Sequence, residues 1–105
     1  MAYIIEARTV GSSYITLVET DSFYKESRKH LSESEIDELK VFLALNPKEG
    51  DLIPGLKGLR KIRWQTHRKG KSGGVRVIYF FYNENCPLFL LEMYSKAQKT
   101  GLSPQ

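Results

Sequence analysis

V-R-V-I-Y-F-F-Y, residues 75–82, is the stretch on which the fold turns. Every residue in it except Arg76 is β-branched or aromatic, a composition that suits a pleated, half-buried surface far better than a helix. Two similar runs flank it. Leu59–Gln65 precedes it across the glycine-bearing turn Arg68–Gly74, and Leu88–Tyr94 follows it across Asn83-Glu84-Asn85. Three strands joined by short turns predict an antiparallel meander for the second half of the chain.

The first half reads differently. Tyr14–Glu19 (Y-I-T-L-V-E) is a strand pattern. Asp21 then offers a cap for a short helix ending near His30, and Ser32 with Glu35 three residues on forms a capping box. Ile36, Leu39, Phe42 and Leu43 fall at helical spacing behind that box, so the second helix packs one face inward. Asn46-Pro47 stops it, because proline disfavours the helical conformation at the preceding residue. Pro47–Gly58 is expected to be loop. The predicted order is β-α-α-β-β-β, an α+β fold with a helix hairpin on a small, mainly antiparallel twisted sheet. Residues 1–13 read as a leader or an extra edge strand, with the leader favoured. Residues 14–100 form the domain, and 101–105 a tail in which Ser103-Pro104 resembles the start of a further helix.

Charge is distributed unevenly over this frame. Residues 57–76 carry eight basic side chains and no acid, threaded among apolar strand residues. Residues 1–54 have net charge −4 and residues 55–105 net +8, giving +4 in all. A folded basic half of this kind attracts phosphates, with nucleic acid the first partner to consider. Other classes are disfavoured. At 105 residues the chain suits one domain, and no apolar run approaches the ~20 residues that cross a bilayer. Cys86 is the only cysteine and His30 and His67 the only histidines, which rules out an intrachain disulfide and argues against a zinc site. Met1–Arg8 lacks the pattern of a secretory signal, so a cytoplasmic protein is expected.

Alternation sorts the cations. Lys61 and Arg63 share one side of their strand, and Ile62 and Trp64 share the other, towards the helices. Arg60 falls with the apolar set, but its long stem can reach the rim. Alternation leaves the side taken by Arg76 open. In the last strand Glu92 goes with Tyr94, and Phe89, Leu91 and Met93 lie opposite. If the three strands are neighbours, Lys61, Arg63, Arg76, Glu92 and Tyr94 could line one cleft. Such a cleft suits cleavage of RNA by its own 2′-hydroxyl. Arginines stabilise the charge that builds on phosphorus, a lysine crowded by cations can act as a base, and tyrosine can donate, accept or stack. Plainer readings stand beside this one. The basic run could bind phosphate without catalysis, Arg76 could be an ion-pair partner of Glu92, and Tyr79, Phe80 and Phe81, an aromatic run that could stack bases, read mostly as core. His30 at a helix end reads as a dipole partner, and His67 as a loop residue.

Taken in order, N-P at 46–47 with G-D at 50–51, G-L-R-K-I-R-W at 58–64, G-K-S-G-G-V-R-V-I-Y-F-F at 70–81 and L-L-E-M-Y-S-K at 90–96 resemble the HigB branch of the RelE/ParE toxin superfamily. The resemblance implies a cytoplasmic toxin of a type II toxin–antitoxin system, an endoribonuclease that cuts mRNA in the ribosomal A site and inhibits translation. It implies no metal or organic cofactor. Its partners would be a helix-turn-helix, HigA-like antitoxin and the ribosome with its mRNA, with operator DNA reached only through the antitoxin. Carried over by motif, the catalytic positions are Lys61, Arg63, Arg76, Tyr94 and Lys96, with Arg76 on the scissile phosphate. Lys57, Arg60, Arg68, Lys69, Lys71 and Lys99 are expected to hold RNA. Two alternatives stay open, a gyrase inhibitor like the ParE branch and a non-catalytic RNA-binding module. The chain departs from the pattern in its first 13 residues and in Glu92, and the resemblance implies a further C-terminal helix that residues 1–105 do not include.

Overall fold

A computed structural model of the chain describes residues 3–10, 13–66 and 74–95. It is an α+β domain of two helices and one mixed sheet. In chain order the elements are β1 (Tyr3–Val10), β2 (Ser13–Thr20), α1 (Asp21–His30), α2 (Glu33–Leu45), β3 (Asp51–Leu52), β4 (Leu59–Trp64), β5 (Val75–Phe80) and β6 (Leu88–Ser95). Across the sheet the order is β1-β2-β6-β5-β4-β3. Only β2 and β6 run parallel, through Leu17↔Leu88, Val18↔Phe89 and Glu19↔Leu90; the other neighbours are antiparallel. The last of these strands in the chain is therefore a central strand of the sheet.

Several expectations need correction. The leader reading of residues 1–13 gives way to the edge strand, because Tyr3–Val10 pairs along its whole length with β2. Val10 pairs with Ser13, so only two residues separate the paired runs, the spacing that signals a hairpin. Thr20, not Asp21, caps α1. Its Oγ1 accepts from the Phe23 amide at 3.1 Å, and Asp21 falls in the first turn. The loop after α2 contains the short strand β3, paired through Asp51↔Lys61 and Leu52↔Arg60. Strand β5 ends at Phe80, two residues earlier than expected. The proposed tail, residues 101–105, lies outside the described residues.

Capping fixes the second helix as the sequence indicates. Ser32 Oγ accepts from the Glu35 amide at 3.2 Å while Glu35 Oε1 accepts from the Ser32 amide at 2.8 Å. Only Leu31 and Ser32 separate the helices. Leu31 is buried and its amide donates to Ser27 O at 2.8 Å. One hydrophobic core joins the elements: Phe23 from α1, Ile36, Leu39 and Leu43 from α2, Leu17 from β2, Val75, Val77 and Tyr79 from β5, and Leu88, Leu90 and Met93 from β6. Ile62 and Trp64 of β4 pack against it, with the Trp64 ring 5.3 Å from that of Phe42.

Beneath the helices lies a buried ion cluster. Glu19 of β2 is 1% exposed; its Oε2 accepts from Lys40 Nζ of α2 at 2.6 Å and its Oε1 from an Arg28 guanidinium nitrogen of α1 at 2.9 Å. Arg28 also donates to Glu33 at 3.2 Å and lies 3.9 Å from the centre of the Tyr24 ring. Burial works against its cation, but the hydrogen bond and charge of Glu19, with Glu33, outweigh that and raise its pKa above the ordinary arginine value. Removing one member of such a cluster strands the others without their counter-charge.

A second anchor holds the loop after α2. The phenol of Tyr79, wholly buried, donates to Pro47 O at 2.9 Å and accepts from the Gly50 amide at 2.8 Å. A Cβ at Gly50 would come within 2.8 Å of the Tyr79 hydroxyl, so only glycine permits this approach. Arg60 braces the same loop, donating to Gly50 O at 2.7 Å and to Lys48 O at 3.0 Å.

Two measurements check these anchors. In urea unfolding, Lys40→Met is expected to lose about 3–5 kcal/mol, the cost typical of breaking a buried pair, and Glu19→Leu/Lys40→Met to recover most of it. Tyr79→Phe should lose about 1–3 kcal/mol by leaving the Gly50 amide and Pro47 carbonyl without their partner. Burial pushes the Tyr79 phenol above its ordinary value of 10.0. A raised folded-state pKa contributes stability below pH 10 that is lost as pH climbs through the folded value. In the native chain stability should therefore fall with pH above 10, between the ordinary and the folded-state values, and fall less steeply there in Tyr79→Phe.

Candidate functional site

The core decides which side of the sheet each cation takes. Val75, Val77 and Tyr79 are buried under the helices, so Arg76, Ile78 and Phe80, alternating with them, face away. That settles the side of Arg76 that alternation left open. In β4, Ile62 and Trp64 pack on the core, and Lys61 and Arg63 are exposed on the same open face as Arg76.

Register then brings these residues into rows. Arg63 of β4 is opposite Arg76 of β5, which is opposite Tyr94 of β6. One step along, Lys61 is opposite Ile78, which is opposite Glu92. Directly opposed residues on neighbouring strands have their Cβ atoms about 4.5–5.5 Å apart, so the side chains of each row lie within mutual reach. Two arginines facing one another across a ladder repel. An anion able to accept from both guanidinium groups would suit this placement.

Strand β6 departs from strict alternation. Ile78 pairs with Glu92 and Tyr79 with Leu90, leaving Leu91 without an opposite residue on β5. This bulge corrects the expected facing of β6: Leu90 and Met93 enter the core, while Phe89 joins Glu92 and Tyr94 on the open side. The carbonyls at the bulge are met by the hydroxyl that caps α1, with Thr20 Oγ1 2.9 Å from Leu91 O and 3.2 Å from Leu90 O. Phe89 meets Phe80 with ring centres 6.1 Å apart. The open face thus carries an aromatic end at Phe80 and Phe89 and a cationic end at Arg63 and Arg76, about 13 Å apart along β5 at strand spacing. A glycine at 58, with φ +80, lets the backbone pass against the Phe80 ring.

The other expected residues fall elsewhere. Lys57 lies on the loop before β4, away from the arginine row. Arg60 points to the helix-covered side and spends its guanidinium on the carbonyls of Lys48 and Gly50. Lys96, Lys99, His67, Arg68, Lys69 and Lys71 are outside the described residues. Glu92 is exposed and makes no ion pair among the described residues, so the reading of Arg76 as its structural partner has no support there. His30 is buried at the end of α1, its Nε2 3.9 Å from Glu26 Oε1. Among the described residues no group of three or more His, Cys, Asp and Glu side chains is placed to hold a metal ion. No described helix is long and apolar enough to cross a membrane.

The Phe80–Phe89 pair is the part of this face that sequence reasoning missed. Its signal was the L-F-L-L run at 88–91, where two adjacent leucines cannot both face the core without a break in alternation. No family model matches the chain.

Charge on this face is checked by binding single-stranded RNA at several salt concentrations. Arg63→Ala and Arg76→Ala should each weaken binding and make the slope of log K against log salt shallower by about 0.7, the value for each single-strand phosphate that is no longer neutralised. Lys25→Ala, on the exposed side of α1, should leave the slope unchanged.

Proposed function

We propose that this chain is the toxin of a type II toxin–antitoxin pair, a ribosome-dependent endoribonuclease that cuts mRNA and so stops translation. The observation that carries the reading is the open-face row Arg63–Arg76–Tyr94 with Lys61 beside it. The ordered motif resemblance supplies the reaction class.

In this reading the scissile phosphate rests between Arg63 and Arg76, whose fixed charges oppose the negative charge that grows as phosphorus becomes five-coordinate. The ribose 2′-oxygen loses its proton and attacks the adjacent phosphorus. The bond to the 5′-oxygen breaks, leaving a 2′,3′-cyclic phosphate on one fragment and a 5′-hydroxyl on the other. The proton removed from the 2′-hydroxyl is balanced by the one delivered to the leaving oxygen. Tyr94 at the end of the row and Lys61 in the next one flank the arginines and are given the task of moving those protons. Phe80 and Phe89 offer a stacking surface for a neighbouring base, with the ring faces rather than hydrogen bonds giving the affinity. Lys96 joins them by motif alone. No cofactor enters the scheme. A HigA-like helix-turn-helix antitoxin would neutralise the protein in the cytoplasm, and the ribosome would present the mRNA and hold it in line for attack.

Brief induction in a bacterial host, followed by mapping of mRNA ends, tests this. Growth arrest is expected, with new 5′-hydroxyl ends inside reading frames. Arg76→Ala should restore growth while melting within a few degrees of the native protein. In a ribosome-programmed assay, a 2′-deoxy substitution at the cut position should abolish cleavage. Arrest with intact mRNA and a DNA-damage response would favour the gyrase-inhibitor alternative instead. Undiminished toxicity of folded Arg76→Ala would overturn the proposal.

A further inference from the structure

Away from the arginine row, the loop Lys48–Gly58 and the residues just after β5 border an open hollow of about 630 Å3. Its walls include Leu52, Ile53, Pro54, Leu56, Phe81 and Tyr82. Phe81 belongs to the core, but Leu52, Leu56 and Tyr82 are 55%, 52% and 56% exposed, the largest exposures of any sizeable apolar side chain outside Leu45 among the described residues. Water therefore meets three big apolar groups around one concavity, an arrangement that marks a binding surface more often than a solvated one.

Cations frame the hollow. Among the described residues Lys48, Lys57 and Arg60 line it and no acidic side chain does; Asp51, beside Leu52 on β3, is opposite Lys61. Lys48 and Lys57 make no ion pair among the described residues, whereas Arg60 is held by the loop carbonyls. Along one side runs β3, the terminal strand of the sheet order, whose outer edge has no strand beside it among the described residues. An unpaired strand edge next to apolar recesses offers main-chain hydrogen bonds and side-chain pockets together.

We infer that this hollow is a docking groove for an extended peptide segment of a protein partner, one in which carboxylates alternate with large apolar side chains. Added beside β3, the segment would place its apolar residues against Leu52, Leu56 and Tyr82 and its carboxylates towards Lys48 and Lys57. Exposed leucines favour a peptide over RNA here, since nucleic-acid surfaces use stacking aromatics and denser cations. The groove borders the covered side of the sheet through Arg60 and Phe81, while the arginine row lies on the open side, so a peptide here and RNA there can be told apart.

A random dodecapeptide library displayed on phage, panned against the full chain and counter-selected on its Leu56→Asp variant, tests it. The expected winners hold aspartate or glutamate next to leucine, isoleucine, valine or phenylalanine. The best of them, synthesised and fluorescein-labelled, should bind in anisotropy titrations, shift the amide resonances of residues 51–57 and Tyr82, and lose at least tenfold in affinity to Leu52→Asp or Lys48→Glu. Circular dichroism melting confirms that those exposed-site variants fold. Enrichment of basic peptides, absence of any site-dependent enrichment, resonance shifts confined to the Arg63–Arg76 face, displacement by a short single-stranded RNA, or sedimentation showing the groove occupied by a second copy of the chain would each overturn it.

Discussion

Glu19 is the point through which this small domain is held together. Its carboxylate, removed from water under two helices, accepts from Lys40 on α2 and Arg28 on α1 while its backbone lies in the parallel ladder with β6. A charge so placed is tolerated only where donors meet it in defined positions. That requirement adds to apolar packing a directional constraint on both helices over β2, since the 2.6 Å contact with Lys40 needs donor and acceptor in defined places. With the helices fixed, Val75, Val77 and Tyr79 have their covered side, and Arg76 has no choice but the other.

The two anchors divide the work along the chain. Around Glu19 the helices are bound to β2 and, through its ladder, to β6; around Tyr79 and Arg60 the loop after α2 is bound to the middle of the meander. Between them the sheet has one covered face and one open face. Chemistry and architecture are thereby separated, for the side chains of the arginine row contribute nothing to the core. The bulge at Leu91 belongs to both. It lets consecutive parts of β6 serve the core while Phe89, Glu92 and Tyr94 reach the open side, and the Thr20 hydroxyl that starts α1 also meets its carbonyls.

Much of this was legible in the sequence, for physical reasons that differ by element. The capping box at Ser32 and the Asn46-Pro47 stop are local signals, decided within a few residues, and both ends of α2 fall as they indicate. The placement of Lys61 and Arg63 opposite Ile62 and Trp64 followed from a period of two and a single apolar face. Arg76 was ambiguous because β5 is apolar on both sides, and only the helices choose between them. The edge strand β1 was misread because its partner was needed to see it, although the two-residue spacing before Ser13 suited a hairpin. Phe89 was misplaced because a bulge is invisible to a rule of strict alternation. Glu19, in a run of strand residues, gave no hint of burial; its two partners come from elements 9 and 21 residues away. Arg60 looked like any other cation of the basic run until the carbonyls of Lys48 and Gly50 gathered round it.

The parallel pairing of β2 with β6 has a consequence for the birth of the molecule. The inner neighbour of residues 17–19 is residues 88–90, so synthesis must pass residue 90 before the middle of the sheet can zip. Until then the amino-terminal hairpin lacks its inner neighbour, and the arginine row lacks its third member. Closure over some 70 residues is slow compared with forming a local turn. While still being translated, such a polypeptide holds its two arginines without the strand that completes their surroundings, and full assembly waits on the arrival of β6.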